Sequence, residues 1–124
     1  MAKRVLDVGQ CGPDHAAIRR LLSSRFGAEV VQAHGPTDAL AHLRREPFSL
    51  VLINRKLDAD YSDGLEILNA IKADPALSSV PVMLVSNYAD AQATAVEAGA
   101  ITGFGKAELG RPETEEKLRG VLGN

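Results

Sequence analysis

Apolar positions divide this chain into short apolar runs and amphipathic stretches that alternate along its length. The apolar runs occupy residues 5–8, 29–32, 48–54, 80–85 and 101–105. Between them, apolar residues recur three and four positions apart, which is the spacing of one helix face. Strand and helix therefore alternate five times along the chain. This order predicts a parallel sheet with helices on both faces, because right-handed crossovers leave few other arrangements.

The run over residues 48–54 contains four successive apolar residues, at positions 50–53. A strand that is apolar at successive positions has both faces buried, which is typical of an inner strand in a parallel sheet. This run stops at Asn54. In open α/β sheets, ligands bind just beyond the carboxyl ends of the strands. Asn54 therefore stands where a functional group is expected, and it carries a neutral amide.

Glycine and proline mark the predicted helix ends. Gly12-Pro13-Asp14 begins the first helix, because proline is tolerated in the first turn and an acid complements the free N–H groups there. Gly27 ends that helix. The other predicted helices follow Gly35, cover residues 65–73 before Asp74-Pro75, and span residues 90–98 and 112–122.

Composition excludes several classes of function. The 124 residues predict one domain, and the net charge of −2 with scattered Lys and Arg offers no basic stripe for nucleic acid. No apolar run approaches the roughly 20 residues of a membrane span, and residues 1–5 resemble no signal peptide. The single cysteine, Cys11, excludes an internal disulfide and suits a reducing compartment. We expect a single cytoplasmic domain over residues 1–124, with no output domain and no membrane contact.

Short motifs along the whole chain resemble the receiver domain of two-component response regulators. They are residues 13–15, 33–40, 50–54, 63–66 and 81–82, followed by Ser86, residues 98–100 and Lys106. The resemblance implies a flavodoxin-like (CheY-like), doubly wound five-stranded sheet of order 2-1-3-4-5. It also implies that the last residue of the third strand, here Asn54, occupies the position of the phosphorylated aspartate.

The departures from the family pattern concern the reacting groups. An amide at Asn54 is a poor nucleophile toward phosphorus and has no stable product equivalent to an acyl phosphate. The acid pair that holds Mg²⁺ in the family falls on Gly9-Gln10 or Gln10-Cys11, depending on the register, and neither choice supplies an acid. We therefore expect no metal site and no cofactor. Ser86 and Lys106, which grip the phosphoryl oxygens in the family, are retained.

Three further differences agree with this interpretation. The loop over residues 54–63 is about two residues longer than is usual in the family. The switch aromatic that precedes the lysine by three positions is replaced by Gly103. The proline that usually follows the lysine is replaced by Ala107.

Other polar residues have a structural and a functional interpretation. We expect Lys106 to bond the Asn54 amide and either Asp7 or Asp58, because a buried charge is normally paired. Asp7 is expected to bond a lysine or backbone N–H groups. The three histidines lack metal-ligand spacing and are expected to be surface or capping residues, and Cys11 is expected to fill a turn.

The sequence thus favours a stand-alone pseudo-receiver that is not an enzyme. It would act without phosphorylation, through contact with a sensor kinase or a downstream signalling protein. One alternative is a phosphorelay receiver that uses Asp58 or Asp7 as its acceptor. A second alternative, of another class, is a flavodoxin-like small-molecule or redox module that uses Cys11.

Overall fold

The fold is an open parallel sheet covered by helices on both faces. The computed structural model describes residues 3–123. The sheet has five strands in the order β2-β1-β3-β4-β5, and every pair is parallel. The predicted flavodoxin-like fold is therefore confirmed. The strands are β1 (Arg4–Val8), β2 (Glu29–Ala33), β3 (Leu50–Asn54), β4 (Val82–Val85) and β5 (Ile101–Phe104).

Five α-helices connect or follow the strands. They are α1 (Gly12–Phe26), α2 (Pro36–Arg45), α3 (Leu65–Ala73), α4 (Ala89–Glu97) and α5 (Pro112–Leu122). A short 3₁₀ turn, Lys106–Glu108, lies between β5 and α5. No helix within residues 3–123 is long and apolar enough to cross a membrane.

The helix ends follow local chemistry. Helix α1 begins with Pro13 in its first turn and ends at Gly27, whose φ of 63° is left-handed. The N–H groups of Gly27 and Ala28 bond the carbonyls of Ser23 and Leu22, which satisfies two of the free carbonyls at the helix end. The last helix occupies the predicted residues.

The two faces of the sheet bury separate cores. One core packs β1, β3 and β4 against α2, α3 and α4, with Val51, Ile53 and Ile67 fully or almost fully buried. The other packs the opposite faces of the same strands against α1 and α5, around Leu50, Leu52 and other apolar residues. Leu50 through Ile53 are all 0% exposed, as expected of an inner strand.

Two strands are shorter than their apolar runs. Strand β3 begins at Leu50, and Phe48 and Ser49 belong to the connection before it. Strand β4 begins at Val82, because Pro81 has no N–H to donate to the sheet, although its carbonyl still accepts from Val51.

Strand β5 has a bulge, since Met83 pairs with Ile101 and Val85 with Phe104. Two residues of β5, Thr102 and Gly103, thus stand opposite Leu84.

Candidate functional site

All five strands end at one edge of the sheet, and the polar residues of interest lie in the loops beyond that edge. Asn54 is half-buried at the end of β3. Its side-chain Nδ2 donates to the carbonyl of Gly9 at 3.1 Å, which links the loop after β3 to the loop after β1. The Asn54 amide is therefore a structural donor in addition to occupying the phosphoacceptor position.

Gly9 is held by the backbone on both sides. Its N–H donates to Ala33 at 2.8 Å, and its carbonyl accepts from the Asp58 N–H at 2.9 Å as well as from Asn54. Its φ of 81° is left-handed, and a Cβ atom at this position would overlap the side chain of Leu57. A carboxylate at position 9 would need a left-handed backbone that side chains rarely adopt, and it would displace the end of the Leu57 side chain.

Gln10 and Cys11 complete this loop. Gln10 is 1% exposed, and neither atom of its amide has a hydrogen-bond partner within the described part of the chain. Its amide nevertheless lies near enough to Asp7 to favour the ionised carboxylate. Cys11 is a free, half-buried cysteine at the residue before α1. The loop thus provides one amide oxygen and a thiol, and no carboxylate, at the predicted acid positions.

Asp7 is hydrogen-bonded to a histidine. The prediction that its partner is a lysine or a backbone N–H group is therefore wrong. The carboxylate is 0% exposed, and its Oδ2 lies 2.7 Å from Nδ1 of His15 in the first turns of α1. Its other oxygen has no partner among residues 3–123. Burial raises the pKa of Asp7 to about 6, although His15 acts in the opposite direction. His15 is partly buried, with its side chain 14% exposed, and pairs with Asp7, so the expectation that it is a surface or capping residue is also wrong.

Lys106 is paired with an acid that the sequence did not single out. Its Nζ lies 2.8 Å from Oδ2 of Asp14 in the first turn of α1, and both side chains are about one-third exposed. The hydrogen bond from Lys106 holds the pKa of Asp14 below its usual value. The predicted pairing of Lys106 with Asn54 and with Asp7 or Asp58 is therefore corrected.

Ser86 lies directly after β4 and faces the same depression as Asn54. The serine is 9% exposed, and its hydroxyl oxygen accepts the Tyr88 N–H at 3.2 Å. A depression of about 340 Å³ brings Asn54, Ser86 and Lys106 together, as the resemblance implies, and neither Asp7 nor Asp58 lines it. Asp58 is exposed on the loop after β3. No group of three His, Cys, Asp or Glu side chains that could hold a metal ion is found in residues 3–123.

Gln92 and Lys117 complete the bulge in β5, and sequence reasoning missed both. The Gly103 N–H donates to Oε1 of Gln92, and the Gly103 carbonyl accepts from Nζ of Lys117. Gln92 also donates to the carbonyls of Leu84 and Ser86, and so fastens α4 to β4 and β5. In the sequence, Gln92 belongs to no recognisable motif. The only signal near it was Gly103, which replaces the switch aromatic of the family.

Comparison with known proteins decides the family. The response regulator receiver domain matches residues 14–111, which is most of the chain. This protein belongs to the response regulator receiver family. The matched region begins after Gly9, Gln10 and Cys11, and it includes Asn54 and Lys106.

Solved structures agree with the receiver fold. A putative response regulator from Chloroflexus aurantiacus J-10-fl is 17% identical, with a TM-score of 0.85 and full coverage of both chains. The signal receiver domain of a DNA-binding response regulator from Colwellia psychrerythraea 34H is 23% identical over 98% of this chain and 99% of that one, with a TM-score of 0.82. The receiver domain of a sensor histidine kinase from Pseudomonas aeruginosa PAO1, with magnesium in its active-site cleft, is 18% identical over all of both chains, with a TM-score of 0.75. Receiver domains act with kinases or effector proteins in two-component signalling.

The hydrogen bond from Asn54 to Gly9 makes a testable prediction for this receiver. Asn54→Asp should lower the free energy of unfolding by about 1–2 kcal/mol near neutral pH, because an ionised carboxylate cannot donate to the Gly9 carbonyl and repels it. Chemical denaturation followed by circular dichroism measures this difference. The matched control is Asn87→Asp, since Asn87 uses only its Oδ1, as an acceptor from the Ala107 N–H, and aspartate keeps that acceptor. Equal stability of the two variants would contradict the assigned donor function of Asn54.

Proposed function

We propose that this receiver signals without covalent phosphorylation, through protein–protein contact with a sensor kinase or a downstream signalling protein. The single observation that carries the proposal is the amide of Asn54 at the end of β3, where the family places its acceptor aspartate. The amide is held by its bond to Gly9 and lacks the nucleophilic oxygen that phosphoryl transfer to an aspartate requires. The domain then has no catalytic function of its own.

The residues around the depression do not fit Mg²⁺. This ion prefers carboxylate oxygens in octahedral geometry, and the loop after β1 offers Gly9, Gln10 and Cys11 instead. The one buried carboxylate among residues 3–123, Asp7, is bonded to His15. Arg55, Lys56 and Lys106 line the depression and repel a divalent cation. We therefore propose no metal and no cofactor in the signalling state.

The bulge in β5 supports a domain without the family's aromatic switch. Gly103 occupies the switch position, and a Cβ atom there would overlap the carbonyl oxygen of Leu84. An aromatic side chain could not enter without moving β5 away from β4. The bonds from Gln92 and Lys117 hold Gly103 in place. We infer a surface over β4 and β5 that stays in one state unless a partner protein changes it.

The contact surface is proposed, by analogy with the family, on α4, β5 and α5. Tyr88, Val96 and Ile101 are large apolar or aromatic side chains exposed there, at 65%, 43% and 43%. Tyr88 and Val96 line a groove of about 570 Å³ whose lining also includes Gln92 and Lys117. Exposed aromatic residues of this kind are frequent anchors in protein interfaces. The cytoplasmic location expected above stays a prediction.

Titration with Mg²⁺ and then with beryllofluoride, an analogue of the aspartyl phosphate, tests the proposal. We expect no saturable shift of the amide-proton NMR signals of Asn54, Ser86 and Lys106, because the pocket lacks both the acceptor and the acids. Intact mass after incubation with acetyl phosphate and Mg²⁺ should likewise show no phosphoryl adduct. The matched positive control is a receiver that retains the acceptor aspartate and the acid pair.

A different result would favour one of the alternatives. A Mg²⁺-dependent adduct that Asp58→Asn abolishes would establish the exposed Asp58 as the acceptor and contradict the proposal. Asp7 is a poorer candidate, because its carboxylate is fully buried and bonded to His15. A copurifying cofactor, or a Cys11 thiol of unusual reactivity, would instead favour the redox alternative.

A further inference from the structure

The depression beyond β3 and β4 has a charge opposite to that of a metal-binding acid pocket. Its volume is about 340 Å³, within the range of small-molecule sites. No aspartate or glutamate lines it. The lining residues are Asn54, Arg55, Lys56, Val85, Ser86, Asn87, Tyr88 and Lys106. Three of them are cations, although the chain as a whole has a net charge of −2.

Two of these cations have no carboxylate partner. Arg55 and Lys56 are exposed, and neither forms an ion pair with any of residues 3–123. Arg55 also borders a neighbouring depression that contains Asp63 and Asp90, and it is paired with neither. Lys106 has one partner, Asp14, and an ammonium group has three donors. Two of the three cations that line the depression are therefore without an ion pair among residues 3–123.

Neutral donors lie among the cations. The Ser86 hydroxyl oxygen accepts the Tyr88 N–H, which leaves its own proton available to another acceptor. Asn87 accepts the Ala107 N–H through Oδ1, which leaves its NH₂ group available. Hydrogen bonds from cations and amides to an oxyanion are stronger than those between neutral groups. The set matches a group with several anionic oxygens.

An aromatic side chain stands beside these donors. Tyr88 lies between β4 and α4. It lines the depression and is 65% exposed. A planar or apolar group attached to the anion could pack on its ring, and aromatic pairs contribute beyond the area they bury. The depression thus combines an anion-binding end with an apolar surface.

We propose that this depression binds a phosphomonoester reversibly and without a divalent cation, with the phosphate among Asn54, Ser86 and Lys106 and the organic group on Tyr88. The proposal rests on the proposed function, because an acceptor aspartate and an acid pair would repel the free phosphate. The phosphate would become a second anionic partner of Lys106 beside Asp14, so occupancy alters the contact between α1 and the 3₁₀ turn. The ligand would then act beside the partner protein, as a non-covalent input in place of covalent phosphorylation.

Binding of phenyl phosphate and methyl phosphate in the presence of EDTA tests the proposal. The two probes have the same phosphomonoester group and differ in the organic part. We expect saturable amide-proton NMR shifts at Asn54, Ser86 and Lys106 with both. Phenyl phosphate should bind about fivefold more tightly, because only its ring packs on Tyr88. Tyr88→Ala should abolish that difference while methyl phosphate still binds.

Charge variants separate a built site from general attraction. Arg55→Gln combined with Lys56→Gln should weaken phenyl phosphate binding about tenfold or more, since two positive charges that line the depression are lost. The matched control is Arg19→Gln combined with Arg20→Gln, which removes the same charge from another depression, of about 320 Å³, on α1. This control should leave the affinity within about twofold at moderate salt. An equal loss in both double variants would overturn the proposal.

The remaining outcomes distinguish this proposal from the proposed function. No saturable shift with either ester in EDTA overturns the phosphomonoester site and leaves the phosphorylation-independent function standing. Binding that appears only when Mg²⁺ replaces EDTA contradicts both. Equal affinity of phenyl and methyl phosphate, unchanged by Tyr88→Ala, overturns the assigned position of the organic group.

Discussion

Gly64→Ala is expected to lower the free energy of unfolding by about 3 kcal/mol or more, because the added Cβ atom meets backbone. Gly64 precedes α3, and its φ of −61° and ψ of −21° suit alanine. The obstacle is steric. A Cβ atom would overlap the carbonyl oxygen of Asn54 and would lie 2.7 Å from Cγ2 of Ile53. Both belong to β3, the central strand of the sheet, which cannot move without disturbing its neighbours on either side.

Gly120→Ala is the matched control for this prediction. Gly120 lies inside α5, and a Cβ atom there would meet nothing within 4 Å. Alanine should raise the stability by about 0.5–1 kcal/mol, because glycine is the poorer helix former. Chemical denaturation of both variants, followed by circular dichroism, measures the contrast. A loss below about 1 kcal/mol for Gly64→Ala would mean that α3 can withdraw from β3 at little cost.

The position of Gly64 also bears on the functional site. Its N–H donates to the Arg55 carbonyl at 2.8 Å, so the longer loop after β3 returns directly to its starting point. At its start, this loop is tied to the loop after β1 by the hydrogen bond from Asn54 to Gly9. At its end, the bond from Gly64 closes it. Arg55 and Lys56 lie within this closed segment and remain exposed. The two cations therefore lie in the closed loop where it lines the depression.

The sequence predicts the fold well because its signals are local and repeated. The apolar run ending at Asn54 requires burial on both faces, and Gly27 and Asp74-Pro75 end helices by backbone geometry. The parallel order then follows from the alternation of strands and helices. The residue at which a strand begins is harder to predict from the sequence. An apolar run extends into the connection before the strand when the side chains of that connection also face a core. Phe48 is such a case: it is buried but lies before β3.

The site is predicted in its outline and not in its pairings. Topology alone brings Asn54, Ser86 and Lys106 to one edge of the sheet. The partner of Lys106 depends on which carboxylate a long side chain reaches, and Asp14 looked in the sequence like an acid that serves only the start of α1. The pairing of Asp7 with His15 joins a strand to a helix eight residues later. No periodicity encodes that contact, because each residue taken alone has a common surface interpretation.

The buried Asp7 leads to the second large prediction, a pH-dependent gain in stability from Asp7→Asn. The pKa of Asp7 is about 6 in the folded protein, against 3.8 for an exposed aspartate. Between these values the folded state holds a proton that the unfolded state releases, so the free energy of unfolding of the unmodified protein falls as pH rises. Asparagine removes this dependence. The stability of Asp7→Asn relative to the unmodified protein should therefore increase by about 2 kcal/mol from about pH 4.5 to about pH 7.5.

Urea denaturation at a series of pH values measures this difference, with Asp60→Asn as the matched control. Asp60 is exposed, and its hydrogen bonds from Ser62 hold its pKa below the usual value. Its ionised form is thus favoured by folding, and the control should show a small change of opposite sign, confined to acidic pH.

The sign of the Asp7→Asn effect decides whether burial or charge attraction dominates the pair of Asp7 and His15. Three groups face the carboxylate: His15 from α1, Gln10 from the loop after β1, and Lys106 at longer range, and each favours the ionised form. Burial opposes all three and is the larger effect. If Asp7→Asn instead loses stability relative to the unmodified protein as pH rises towards about pH 4.5, where a carboxylate of lowered pKa ionises, the ion pair with a protonated His15 outweighs burial. Charge attraction would then hold the contact between β1 and α1. In the expected case, a hydrogen bond between Asp7 and His15 holds this contact, and burial of the ionised carboxylate lowers the stability.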